Sequence, residues 1–286
     1  LIINNGAYGN RFVKIAEVHG LEYKQIKFDW DKEIDLKKIE EELAKDPKIK
    51  YLAAVHHETT TGILNPIEEI SKIAKKNNCI SIVDTVSSFA GIPFNIKSSG
   101  VDFIFSTSNK CLQGMAGVTF IICKKSELEK LKDFKKRSFY LDLYSQYDYF
   151  KKTKQMQFTA PVQTIYALRK AIDECIAEGV ENRFKRYKEN FDVLVKGMQE
   201  LGFKKIFDKE KESFLLVTFF EPKDKNYSFD RLHDILYKKG FTIYPGKIKE
   251  NTFRLGTIGD INRGDITKFL NAMKETLTEM NLRVSK

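Results

Sequence analysis

The 286-residue sequence predicts an α/β protein with a mainly parallel central sheet and a smaller C-terminal α+β domain. Three observations carry that prediction. Between Ile49 and Cys123, short apolar runs alternate with stretches of helical periodicity, the pattern of strands joined by helical crossovers. From Val162 to about Leu201 the pattern is almost continuously helical, weakened at Gly179. Beyond it, short strand candidates and helices return on a smaller scale. The boundary is placed inside the long helical region, giving a large domain over 1–185 and a small one over 186–286.

In chain order, a short strand-like patch at the N-terminus runs into Asn4, Asn5 and Gly6. Asp35–Ala44 and Pro66–Lys76 read as amphipathic helices, their lysines alternating with acids and apolar residues as on a solvated face. Lys50–His56, Cys79–Asp84, Asp102–Thr107 and Gly117–Cys123 read as strands. In the second part the strand candidates are Ser213–Phe220, Phe241–Tyr244 and Thr252–Ile258, with helices at Phe229–Lys239 and Arg263–Thr276. Parallel sheets collect functional groups at the carboxyl ends of their strands. His57–Gly62, Asp84–Ser88 and Ser106–Lys110 each lie at or just after such an end, so one crevice can gather all three.

Composition narrows the classes. With 42% hydrophobic residues the chain can bury a sizeable core. Its longest apolar runs are of strand length, far short of the roughly 20 residues that span a bilayer, and no signal peptide is visible. The chain opens on Leu1 rather than Met, which points to a fragment or a processed chain. Cys79, Cys111, Cys123 and Cys175 form no CxxC pair and lie mostly in or beside apolar runs, as buried free thiols do; a cytoplasmic, disulfide-free protein is expected. No zinc pattern exists, since adjacent His56 and His57 cannot both face one metal from a strand, and no metal is expected. The net charge of +10 admits a nucleic-acid partner or an anionic substrate.

Two segments carry chemistry. In Ile82-Val83-Asp84-Thr85, an Asp ends an apolar strand, where it is costly unless something cationic meets it; capping a following turn is the plainer role. In Ser106-Thr107-Ser108-Asn109-Lys110, a Lys follows another strand among small hydroxyl residues; alone, it would be an ordinary surface lysine. Twenty-six residues apart, the two fall at the same edge of neighbouring strands. A desolvated lysine amine forms a Schiff base with an aldehyde. Pyridoxal phosphate (PLP) also requires an acid against its pyridinium nitrogen, which a carboxylate keeps protonated.

These segments, together with Val55-His56-His57-Glu58-Thr59-Thr60-Thr61-Gly62-Ile63-Leu64-Asn65-Pro66, Asn4-Asn5-Gly6-Ala7-Tyr8-Gly9-Asn10-Arg11 and Phe253-Arg254-Leu255-Gly256-Thr257-Ile258-Gly259, resemble the class-V PLP-dependent aminotransferases. The likeness runs from residue 1 to about 260 and is greatest to the branch that uses 2-aminoethylphosphonate as donor and pyruvate as acceptor. It implies a fold-type-I PLP-dependent transferase acting as a homodimer with shared active sites. Lys110 would be the Schiff-base lysine and proton carrier, and Asp84 the partner of the pyridinium nitrogen. Thr59 would bond the phenolic oxygen of the cofactor ring. Ser108 and Asn109 would contact its phosphate, Thr159 would reach the phosphate in the neighbouring subunit, and Arg254 would clamp the substrate carboxylate. The family is longer at its N-terminus, where a Gly/Ser/Thr loop cradles the phosphate and a residue stacks on the ring. That part of the large domain is expected to be missing from this chain.

Plainer roles stand beside these. Thr59–Thr61 can end a strand through local hydroxyl–backbone bonds. Thr159 can cap a helix that has Pro161 just inside it, and Arg254 can pair with Asp260. His56, His57 and Glu58 are left without a role. Within the family, an alanine–glyoxylate or serine–pyruvate transaminase would share Lys110, Asp84 and Arg254. A cysteine desulfurase lacks its mobile-loop Cys here. From another class, a basic nucleic-acid-binding protein fits the charge but lacks aromatic-interleaved basic motifs.

Overall fold

In the computed structural model the described residues are 1–207, 212–248 and 251–282. The first part runs β1 (Ile2–Asn4), α1 (Ala7–Val18), β2 (Gln25–Lys27), α2 (Leu36–Lys45), β3 (Tyr51–Val55), the two-residue strands β4 (His57–Glu58) and β5 (Ile63–Leu64), α3 (Ile67–Lys76), β6 (Ile80–Asp84), α4 (Ile96–Ser99), β7 (Phe103–Thr107) and β8 (Thr119–Cys123). Then come α5 (Lys125–Lys130), α6 (Leu143–Thr153), α7 (Val162–Glu178) and α8 (Val180–Glu200). The last part is β9 (Leu216–Phe220), α9 (Phe229–Lys238), β10 (Tyr244–Pro245), β11 (Thr252–Gly256) and α10 (Arg263–Glu279).

The central sheet has the order β2-β1-β3-β6-β7-β8. Every pairing is parallel except β7 with β8. That exception follows from the connection: residues 108–118 hold no crossover helix, so the chain can only double back. Strand interiors are apolar on the buried positions, with Leu52, Ala54, Val83 and Ile104 fully buried against Ile39, Ile70 and Ala74 of α2 and α3. Buried Ser81 is a polar exception inside β6, its N–H and hydroxyl bonded to Asp102, while Asn4, Asp84 and Thr107 stand where strands stop. Asp35 caps α2 by accepting from Lys37 N, and Pro66 precedes the first turn of α3, where a missing N–H is harmless.

The second sheet is antiparallel, in the order β10-β11-β9, and packs on α8, α9 and α10 through Met198, Phe219, Leu232, Phe253 and Met273. The helical stretch from Val162 is two helices, broken at Gly179, whose φ of 80° is one that side-chain-bearing residues rarely adopt. Position 185 falls inside α8. Two predicted strands are shorter than expected. Ser213 turns away to bond Gly62 O, and Phe214 has a left-handed φ of 58°, so pairing starts at Leu216. Ile243 sinks into the core, leaving only Tyr244 and Pro245 on the ladder. Among the described residues, no helix is long and apolar enough to cross a membrane.

Candidate active site

The carboxyl ends of β1, β3, β6 and β7 all open on one edge of the central sheet, and β11 meets them from the small sheet. Between them lies a cavity of about 710 Å³ whose walls include Tyr8, His57, Thr59, Ser87, Lys110 and Arg254. Asp84, at the end of β6, is level with Phe105 of β7; Lys110 follows on that same edge.

The loop that presents Lys110 is bonded to itself and to its surroundings at nearly every step. Ser108 N donates to Val118 O at 3.0 Å, Gly114 N to Ser108 O at 2.7 Å and Gln113 N to Lys110 O at 2.9 Å. Cys111 is buried; its thiol donates to Ser87 O at 3.3 Å, and burial pushes its pKa up to about 12. It is a structural pin, close enough that a Cβ on Gly91 would lie 2.4 Å from its sulfur. From α8, Arg183, only 2% exposed, donates Nη1 to Cys111 O at 2.8 Å while its Nε meets Glu178 at 2.6 Å. Tyr187 accepts from Gln113 Nε2 at 2.7 Å and from Gly259 N at 3.3 Å, tying the same loop to the one after β11. Inside this frame the Lys110 amine itself has no hydrogen bond or ion pair among the described residues.

Asp84 is the complementary case. Its carboxylate accepts from Val86 N at 2.8 Å and forms no ion pair among the described residues. Burial pushes its pKa up to about 6; the Val86 bond opposes the shift, Glu58 adds to it and Arg11 offsets part. A desolvated carboxyl without a cation beside it is costly on its own and suited to a cationic partner.

Thr59 and Arg254 touch across the whole chain. Arg254 Nη1 donates to Thr59 O and Nε to Pro245 O, both at 3.0 Å, so the guanidinium is aimed by two backbone carbonyls. Burial draws it below its ordinary pKa, with Tyr8 opposing, and it stays charged. It forms no ion pair with Asp260. The Thr59 hydroxyl lies 2.9 Å from Ser87 Oγ and 3.3 Å from His57 Nδ1.

The residues without a sequence role acquire structural ones. Glu58, fully buried, accepts from Tyr8 N, Gly9 N and Thr60 N, closing the N-terminus of α1 onto β4. A Cβ on Gly6 would lie 2.4 Å from the Glu58 carboxyl carbon, so the approach requires glycine. His57 is held by Ser213 Oγ at 2.7 Å, and burial, with His56 and Lys110 adding, lowers its pKa to about 3. His56 bonds Ser88 Oγ at 2.9 Å, and burial takes it to about 4. Both rings are neutral at physiological pH.

Four expected cofactor contacts lie off the cavity wall, Asp84 among them at the strand end beside it. Ser108 is buried and donates its hydroxyl to Met115 O. Asn109 is exposed, accepts from Thr107 Oγ1 at 2.8 Å, and lines a second opening that Lys110 also borders. Thr159 is exposed in the stretch before α7, whose cap is Pro161, so it does not act as the helix N-cap. Conversely, Tyr8, Ser87 and Lys247 line the cavity without having been singled out. Tyr8 and Ser87 sit within motifs already noted, Asn4–Arg11 and Asp84–Ser88, which was the available signal. Lys247 gave none.

Comparison with known proteins agrees with this geometry. A family model described as aminotransferase class-V matches residues 1–245. The chain is 43% identical over 277 residues to a 2-aminoethylphosphonate–pyruvate transaminase of Phocaeicola vulgatus, covering 96% of this chain and 76% of that protein. Among solved structures, it resembles a ureidoglycine–glyoxylate aminotransferase from Bacillus subtilis (TM-score 0.90, 22% identity, 99% of this chain and 74% of that one). It also resembles an alanine–glyoxylate aminotransferase from Nostoc sp. (TM-score 0.88, 24% identity, 96% of this chain and 74% of that one). These two establish the expected fold-type-I architecture.

Proposed function

The chain belongs to the class-V aminotransferases, and from that premise we propose that it moves an amino group from 2-aminoethylphosphonate to pyruvate, giving phosphonoacetaldehyde and L-alanine. The whole-chain identity to the Phocaeicola vulgatus transaminase carries the substrate assignment.

PLP is the cofactor of this family, and the residues present fit it. Lys110 offers a free amine at the cavity wall, and Asp84 offers a desolvated carboxylate that lacks a cation. When bound, the cofactor supplies an electrophilic carbonyl carbon and an electron-accepting ring. Lys110 would hold it, with Thr59 and Ser87 hydroxyls beside it. Asp84 places negative charge at the end of β6 and would stabilise the protonated ring nitrogen of the bound cofactor. Once its amine is free, Lys110 Nζ is the base that takes the proton from the donor carbon, because neither histidine is available for that task. Arg254 keeps Nη2 and the second Nη1 hydrogen for the pyruvate carboxylate, since carbonyls occupy Nε and one Nη1 hydrogen. Ser108 and Asn109 belong in this reading to the frame near the cofactor phosphate.

The enzyme acts as a homodimer with shared sites in this reading. Thr159 adjoins Phe158, which stacks on Tyr140 at 4.6 Å and meets Phe139 at 5.7 Å. Phe139 and Leu141, beside that stack, are 81% and 72% exposed, apolar surface that a partner subunit would bury. The four free thiols support the cytoplasmic placement.

Rapid mixing of the PLP-loaded chain with single donors tests the substrate. Fast conversion to the pyridoxamine form is expected with 2-aminoethylphosphonate, and slow conversion with serine and taurine. Fast conversion by serine or alanine with glyoxylate as acceptor, and none by 2-aminoethylphosphonate, overturns the substrate while leaving the transaminase.

A further inference from the structure

The hairpin that carries Arg254 also brings a second cation to the cavity. In its turn, Gly246 N donates to Thr252 O at 2.6 Å, and a Cβ at Gly246 would lie 1.9 Å from Thr252 Oγ1. Glycine there lets the turn close onto β11. Lys247 follows directly, and its Nζ lies 3.1 Å from the Tyr8 phenol oxygen and 4.7 Å from the centre of its ring. Tyr8 is in the first turn of α1, so this contact joins groups 239 residues apart. The turn lysine is exposed, yet it is laid over the cavity instead of extending into solvent.

The charges facing one another there do not balance. Lys110, Lys247 and Arg254 line the cavity together with Tyr8, and none of the three makes an ion pair among the described residues. Asp265, on the same wall, is committed to the capping box of α10 and to Lys268. Burial raises the Tyr8 pKa, but the bond from Lys247 and the charges of Lys247, Lys110 and Arg254 outweigh it, leaving the phenol below its ordinary value. With Lys110 engaged by the cofactor, Arg254 and Lys247 remain as the two basic side chains on the cavity wall.

A carboxylate is a monoanion with two coplanar oxygens, which a planar guanidinium satisfies alone. A phosphonate carries up to two negative charges on three tetrahedral oxygens. An arginine fork reaches two of them, and a compact ammonium on a flexible stem suits the third. We propose that Lys247, held by Tyr8 when no dianion is bound, is the specificity residue that selects the phosphonate of the amino donor alongside Arg254. This rests on the substrate reading above. During the pyruvate half-reaction Lys247 stays on Tyr8, because the second charge it would answer is absent.

The test uses the PLP-loaded full chain and three unreactive anions that share an ethyl group: the tetrahedral dianion ethylphosphonate, the tetrahedral monoanion ethanesulfonate and the planar monoanion propionate. Wild type binds ethylphosphonate in preference to the other two. Lys247→Gln weakens ethylphosphonate about 10- to 100-fold, the loss of one charge-assisted contact, and the two monoanions about threefold or less. Lys247→Arg restores most of the preference. In the first half-reaction, Lys247→Gln raises the 2-aminoethylphosphonate concentration for half-saturation and leaves the limiting rate nearly unchanged. Equal weakening of all three anions, no weakening, or a wild type indifferent to the dianion overturns the assignment. The two readings fail separately. Lys247-dependent ethylphosphonate binding without deamination of 2-aminoethylphosphonate removes the substrate and keeps the subsite. Deamination with unchanged half-saturation in Lys247→Gln does the reverse.

Discussion

The two sheets supply the cavity in different ways. The central sheet contributes Lys110 to the wall, on a loop cross-braced by Arg183, Tyr187 and Cys111, and sets Asp84 at the neighbouring strand end. The small sheet contributes Arg254 and Lys247 from an antiparallel hairpin, one cation fixed by carbonyls and the other, exposed, resting on an aromatic ring. In the proposed reading, the groups that hold a reacting atom within tenths of an ångström sit where packing over-determines them. In that reading, the groups that recognise substrate anions sit on the hairpin, Arg254 meeting both anions and Lys247 only the phosphonate.

If that division is right, damage to the braced edge should cost far more than damage to the hairpin. Lys110→Ala should lower multiple-turnover transamination by at least about 10⁴-fold, since it removes both nucleophile and base. Steady-state alanine formation measures it.

Asp84→Asn should lower the rate by on the order of 10²-fold or more in cofactor-loaded protein. Stability should move the other way. The Asp84 pKa is raised from 3.8 to about 6, mainly by burial. Between those values the folded chain binds more protons than the unfolded chain, so this group's contribution falls as pH rises through that window. Cofactor-free Asp84→Asn should therefore exceed wild type by up to about 2–3 kcal/mol at pH 8, and the gap should close near pH 4. Urea titration at the two pH values reads it. A variant that is inactive and also less stable at pH 8 would break the idea that Asp84 is a charge waiting for a cation.

On the hairpin, Arg254→Lys keeps the charge and loses the fork, along with one or both carbonyl contacts. A 10- to 100-fold loss in kcat/KM for pyruvate is expected, about 1.5–3 kcal/mol. A loss as large as that of Lys110→Ala would put Arg254 with the chemistry instead. The smallest effect is expected in the brace. Tyr187→Phe strands the donors of Gln113 and Gly259, lowering unfolding free energy by about 1–3 kcal/mol, with only a few-fold change in rate.

The same contrast decided what the sequence could reveal. The placement of Asp84 and Lys110 at neighbouring strand ends was legible because a polar residue at the end of an apolar strand breaks a short, local pattern. The parallel sheet was legible for the same reason, its strands separated by amphipathic α2 and α3. The hairpin was only half legible. Arg254 was reached through resemblance, while Lys247 acquires meaning from Tyr8, a partner at the far end of the chain that no periodicity announces. Glu58 and His57 were opaque because their roles are contacts made by folding, to the N-terminus of α1 and to Ser213. Strand β9 begins later than its apolar run suggests because Ser213 is drawn to Gly62 and His57, a tertiary contact overriding local propensity.

Borohydride reduction of the PLP-loaded chain, followed by peptide mapping, tests the central claim most directly. The sequence carries 49 lysines and arginines, and many of the lysines are more exposed than Lys110. The cavity geometry predicts that the reduced cofactor is found on Lys110 alone, and that prior incubation with 2-aminoethylphosphonate protects it by drawing the cofactor away. An adduct on another lysine, or one on Lys110 that the amino donor leaves untouched, would contradict the account.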